Sequence, residues 1–128
     1  MIALVVDDSR AIRGIISLAL KELGFEVLTA GNGKEAIEQM NLKPAHLVLV
    51  DWNMPEMNGF EFVVAARDNP AWRDSVIVMV TTETEIGQMQ KALEAGANEY
   101  VMKPFTKEIL REKLQLLGFN ELQASDMT

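Results

Sequence analysis

The stretch Ile2-Ala3-Leu4-Val5-Val6-Asp7-Asp8-Ser9 decides the fold class. Its first five residues are all apolar and show no polar alternation, as expected of a strand covered on both faces. The run stops on two carboxylates and then a serine, a residue type that caps helices. Beyond Ser9 the period changes: Ile12, Ile15, Ile16, Ala19, Leu20 and Leu23 recur at helical spacing. The same pair of patterns repeats down the chain. Strand-like runs stand at Glu26–Thr29, His46–Val50, Ser75–Val80 and Glu99–Met102. Helical stripes intervene at Ala36, Ile37 and Met40, at Phe60, Val63 and Val64, and at Ile86, Met89 and Leu93. Leu110, Leu114 and Leu117 close the series. Strands alternating with helices predict an α/β domain, a doubly wound parallel sheet with right-handed crossovers.

The punctuation agrees. Gly24, Gly96 and Gly118 fall just past helical stripes, where a left-handed cap is wanted, and Ser9 and Thr106 stand where a hydroxyl would cap a helix start. Pro44, Pro55, Pro70 and Pro104 all lie between elements. Gly31-Asn32-Gly33-Lys34 lacks the spacing of a phosphate-binding loop and reads as a tight strand-to-helix turn. One folded unit over residues 1–120 is expected, with 121–128, polar and without period, as a flexible tail.

Composition excludes several chemistries. The chain has 128 residues and no cysteine, which removes disulfides, thiolate metal sites and Cys nucleophiles. A single histidine, His46, removes multi-histidine metal sites, and its place at the mouth of an apolar strand suits a structural or solvent-facing role. Twelve Lys and Arg against nineteen Asp and Glu leave a net charge of −7, which opposes nucleic-acid binding through the bulk field. No apolar run approaches the ~20 residues of a membrane span. Met1–Val6 runs straight into Asp7-Asp8, unlike a signal peptide. A soluble cytoplasmic protein without membrane or nucleic-acid partners is expected.

In open parallel sheets, ligands bind beyond the carboxyl ends of the strands. At those ends stand Asp7-Asp8, Asp51, Thr81-Thr82 and Lys103-Pro104. Any one acidic residue there could simply cap a helix, and Asp8 alone would read so. Together they are a different proposition. Three carboxylates gathered on one edge repel one another, so either one stays protonated or a cation holds them together; oxygen-only donors select a hard divalent ion, Mg²⁺ being the abundant one. A lysine and a threonine hydroxyl on the same edge complete what phosphoryl transfer requires.

Four blocks carry a family resemblance. They are Val5-Val6-Asp7-Asp8-Ser9, Asp51-Trp52-Asn53-Met54-Pro55-Glu56-Met57-Asn58-Gly59, Met79-Val80-Thr81-Thr82-Glu83 and Tyr100-Val101-Met102-Lys103-Pro104-Phe105. Over residues 2–117 the chain resembles response-regulator receiver domains, and among them the stand-alone chemotaxis regulators. The resemblance implies a flavodoxin-like (βα)5 fold with strand order 2-1-3-4-5. It implies that Asp51 accepts a phosphoryl group from a histidine kinase, with Lys103 and Thr81 at the transferred group. Mg²⁺ would be held by Asp8, Asp51 and the Asn53 backbone carbonyl, with Asp7 reaching it through water. Thr81 and Tyr100 would form the switch, and Asn53 and Glu83 would modulate dephosphorylation. The flagellar motor switch is implied as the target and a phosphatase as a further partner. Ser9 and Thr82 depart from the chemotaxis pattern, which has an aromatic and a smaller residue at those places.

The residue chemistry is compatible with these roles. Tyr100 joins an apolar ring to a polar tip, so buried and exposed placements are close in energy. Lys103-Pro104 is a candidate cis peptide bond. The protein is expected to catalyse only its own phosphorylation and dephosphorylation. A phosphate shuttle or sink in a phosphorelay, or a receiver excised from a larger regulator, are the alternative readings. A Mg²⁺-dependent phosphohydrolase is disfavoured, because such enzymes usually place an acid two residues after the nucleophile and Asn53 stands there.

Overall fold

Strand β1 (Ile2–Val6) lies second from one edge of a five-stranded parallel sheet in the computed structural model, which describes residues 1–119. The other strands are β2 (Glu26–Ala30), β3 (Leu47–Asp51), β4 (Val76–Thr81) and β5 (Glu99–Met102). They are ordered β2-β1-β3-β4-β5, as the family resemblance implied. Helices α1 (Arg10–Glu22), α2 (Gly33–Leu42), α3 (Gly59–Arg67), α4 (Met89–Ala95) and α5 (Lys107–Leu116) make the crossovers and the final cover. The tail expected at 121–128 lies outside the described residues.

The unbroken apolar runs are explained by two cores. Ala3, Val5, Leu47, Leu49, Val78 and Val80 point to the side covered by α1 and α5. Leu4, Val6, Val48, Val50, Ile77 and Met79 point to the side covered by α2, α3 and α4. Strands β1, β3 and β4 therefore bury both of their faces, at about 1.5–3 kcal/mol per large side chain, whereas the edge strands β2 and β5 stay partly exposed. Met40, Met54, Met79 and Met89 fill gaps in these cores.

The expected caps form. Ser9 Oγ accepts from the Ile12 amide, Thr106 Oγ1 accepts from the Ile109 amide, and Gly24, Gly96 and Gly118 all have positive φ. Asn32 caps α2, so the Gly31–Lys34 segment is a strand-to-helix turn. The Lys103–Pro104 bond is cis. His46 is exposed, and its Nδ1 accepts from the Ile2 amide.

Four details differ from the sequence reading. Strands β3 and β4 each start one residue later and end one later than expected, so Asp51 and Thr81 are last strand residues rather than loop residues. The α1 stripe is interrupted: Ile15 is 66% exposed, whereas Ser17 is buried. In α3 the inward set is Phe62, Val63 and Ala66, which join the core cluster of Val48, Val50 and Met79, with Val64 turned out. Ile86 lies in a 3-10 segment (Glu83–Gln88), so α4 is only seven residues long and buries Met89 and Ala92 instead of Leu93. Pro70 opens a short 3-10 turn that seats the buried Trp72.

Candidate phosphoryl-transfer site

The carboxyl edge of the sheet gathers the predicted residues because neighbouring parallel strands end in step. Val6 pairs with Val50, so Asp7 and Asp51 emerge side by side. One carboxylate oxygen from each of Asp7, Asp8 and Asp51 lies within 4.8 Å of the other two. Asp7 and Asp51 are buried, whereas Asp8 faces solvent. Lys103 Nζ reaches into the group, 3.2 Å from Asp7 Oδ2 and 3.3 Å from Asp51 Oδ1.

Asp7 is fully engaged by the protein. Its Oδ1 accepts from the Ser9 amide at 2.9 Å, its Oδ2 from Lys103, and its backbone carbonyl from Arg13 Nη1 at 2.6 Å. Asp51 and Asp8 are the freer acids, which is compatible with a lesser, water-mediated part for Asp7 at a cation. The donor set fits a hard divalent ion: all the candidate ligand atoms are carboxylate oxygens, and they carry three negative charges of which the Lys103 ammonium offsets only one.

The electrostatics follow from this crowding. Burial first, and then the Asp7 charge, push the Asp51 carboxyl up to about 6 from its ordinary 3.8, against the opposing pull of Lys103. Burial draws the Lys103 ammonium down, but Asp51 and Asp7 outweigh it, so its pKa stands above the ordinary value. At neutral pH Asp51 is therefore mostly ionised and destabilised, a carboxylate whose charge the fold resists.

Thr81 is fully buried at the end of β4, and its hydroxyl donates to the Thr82 carbonyl at 3.3 Å. In the β4–β5 register Met79 pairs with Tyr100 and Thr81 with Met102. Alternation then puts Thr81 and Tyr100 on the same sheet face, one pleat apart. Tyr100 is half-buried, with Lys113 Nζ 5.3 Å from its ring centroid. Asn53 and Glu83 are exposed at the rim.

Several participants are not legible in the sequence. Arg13 braces the Asp7 backbone, and Glu85 pushes the Asp51 pKa up by a small amount while accepting from Thr82 Oγ1 at 3.2 Å. Nothing in the sequence marks Glu85, because its approach depends on the 3-10 turn. Trp52, next to Asp51 in the chain, packs against Phe60 with the rings tilted by 56° and their centroids 6.2 Å apart, and Lys91 Nζ sits over the Phe60 ring 4.6 Å from its centroid.

The sequence profile of the response regulator receiver domain matches residues 3–115. The chain belongs to that family. Among similar receivers is the "Chemotaxis protein CheY1" of Helicobacter pylori, 46% identical over 121 residues, covering 92% of this chain and 98% of the relative. The "Chemotaxis protein CheY homolog" of Campylobacter jejuni is 46% identical over 114 residues, 88% of each chain. Among solved receivers, the chemotaxis protein CheY4 of Vibrio cholerae superposes with a TM-score of 0.84 at 39% identity, covering 90% of this chain and 96% of that one. Among the described residues of this receiver, no helix is long and apolar enough to cross a membrane.

Proposed function

We propose that this receiver is a stand-alone chemotaxis response regulator of the cytoplasm, phosphorylated on Asp51 by a histidine kinase with Mg²⁺. The observation that carries the reading is the meeting of Asp7, Asp8 and Asp51 within 4.8 Å, with Lys103 against the last strand residue of β3. Its relatives in Helicobacter pylori and Campylobacter jejuni bear chemotaxis names, which supports the pathway.

A divalent ion held by Asp8, Asp51 and the Asn53 carbonyl would neutralise charge on the transferred oxygens. The chain's own residues do the rest. An Asp51 carboxylate oxygen forms the new O–P bond as the N–P bond of the donor phosphohistidine breaks. Lys103 already touches the acceptor carboxylate and is placed to pair with a phosphoryl oxygen. Thr81 can exchange its weak 3.3 Å bond to the Thr82 carbonyl for a stronger one to that oxygen. Its movement opens space on the face it shares with Tyr100, whose ring follows, and the surface of α4, β5 and α5 changes for a target. Hydrolysis reverses the charge: water attacks phosphorus between Asn53 and Glu83, the O–P bond to Asp51 breaks, and phosphate leaves.

A protein phosphodonor is further supported beside the acids. An apolar groove lined by Ile12, Ile15, Leu18, Pro104, Phe105 and Lys107 adjoins Lys103, and Ile15 and Leu18 are 66% and 60% exposed. The flagellar motor switch is the proposed target; retention of the phosphorylated form on immobilised motor-switch protein supports it, and absence of retention favours a phosphorelay shuttle. Labelling with acetyl phosphate and Mg²⁺ tests the site. Stoichiometric label on the protein should vanish in Asp51→Asn, and label persisting on Asp7 or Asp8 would overturn the assignment.

A further inference from the structure

The loop between β3 and α3 carries Asn53, and it is bent at one strained residue. Glu56 has φ of 66°, the one positive value at a non-glycine among the described residues. The Met57 amide donates to the Pro55 carbonyl at 2.7 Å, closing an i to i+2 turn around it. A γ-turn of this hand is rare and costly for a residue with a Cβ, and it persists only where its surroundings impose it. Glu56 is itself exposed, so core packing does not impose it.

The constraint comes from the opposite loop, between β2 and α2. Asn32 Nδ2 donates to Glu56 Oε2 at 3.2 Å. The same side chain is anchored in α2: its Oδ1 accepts from the Glu35 amide at 2.9 Å, and its Nδ2 also donates to Glu35 Oε2 at 3.3 Å. Beside it, the Met57 side chain occupies the space over Gly33. A Cβ on Gly33 would stand 2.6 Å from Met57 Cγ and 2.7 Å from its Cβ and Sδ. At the other end of the bent loop, the Gly59 amide donates to the Trp52 carbonyl at 3.0 Å. The loop is thus held at Trp52, Glu56 and Met57, and the segment between these points contains Asn53.

We infer that Asn32 and Gly33, acting on Glu56 and Met57, form a clasp that positions the β3–α3 backbone at the acidic site and so sets its affinity for a divalent cation. These are positioning residues; none touches the acids. The inference rests on the reading that Asp51 and the Asn53 carbonyl hold Mg²⁺. Partners that orient metal-binding groups typically govern affinity by ~10–100-fold, and a clasp acting on one carbonyl belongs at the low end.

Mg²⁺ titration of the full chain, followed by Trp52 emission in a Trp72→Phe background, tests it. Asn32→Asp keeps an oxygen for the α2 cap but replaces the donor that holds Glu56 by a repelling carboxylate. Its added negative charge would by itself draw Mg²⁺ in, so a loss of affinity has the sign that only the clasp predicts. The expected loss is about tenfold. Adding Glu56→Gln restores a donor from the other side, and affinity should return to near the reference. Gly33→Ala, which displaces Met57 without changing charge, should weaken binding as well, with circular dichroism reporting that the fold is kept. Unchanged or tighter binding in Asn32→Asp, or no recovery in the double variant, would overturn the clasp while leaving the metal reading intact. A reference protein with no saturable Mg²⁺ response would overturn both.

Discussion

Replacing Asp51, the proposed phosphoacceptor, by asparagine should stabilise the fold. Asp51 is buried at the end of β3, and its carboxyl is raised to about 6 from 3.8 by burial and by Asp7, after Lys103 has offset part of the rise. A carboxyl with a raised pKa favours folding fully below its unfolded value. That contribution is lost as pH rises through the folded value. At about 1.36 kcal/mol per pH unit, ionised Asp51 costs the fold about 3 kcal/mol at pH 7.5. Asparagine has nearly the same shape without the charge, and Lys103 keeps its partner Asp7 at 3.2 Å. In EDTA, Asp51→Asn should therefore gain about 3 kcal/mol at pH 7.5 in urea unfolding, and only about 1 kcal/mol at pH 4.5, where the folded wild type is already mostly protonated. Mg²⁺ should close the gap from the other side, since a ligand at a hundred times its Kd stabilises the wild type by about 2.7 kcal/mol. A destabilised Asp51→Asn at pH 7.5, or a gain that does not vary with pH, would refute the electrostatic account of the site.

Other substitutions probe the site's frame and the signal's duration. In Gly59→Ala the new Cβ would meet the Asp51 carbonyl and Met79 Cε at 2.6 Å, so overpacking should cost about 1–3 kcal/mol in urea unfolding and lower acetyl phosphate labelling. Asn53→Leu or Glu83→Leu should lengthen the phosphoryl lifetime severalfold by excluding water at the rim; decay of labelled protein measures it, and an unchanged rate in both would place the water's approach elsewhere.

Much of this receiver is determined locally, and for that reason the sequence alone reveals it. Runs such as Ile2–Val6 and Leu47–Val50 are apolar because both faces of their strands are buried, and that periodicity is written residue by residue. Ser9, Thr106, Gly24, Gly96 and Gly118 mark element ends because caps and left-handed turns depend on a single residue's chemistry. Parallel strands then deliver Asp7, Asp8, Asp51, Thr81 and Lys103 to one edge, so the site's membership is legible as well. Its energetics are not. The about-6 pKa of Asp51, the bracing of Asp7 by Arg13 and the reach of Glu85 arise from distances between segments far apart in the chain. The outward turn of Ile15 and Val64 and the 3-10 coil ahead of α4 likewise depend on what each helix packs against. The clasp is the clearest case. Asn32 and Gly33 look like any tight turn, and Glu56 like any loop residue. Their joint effect exists only because the loops after β2 and β3, two strands separated by β1, meet at one sheet edge, and no local pattern encodes a contact across 24 positions.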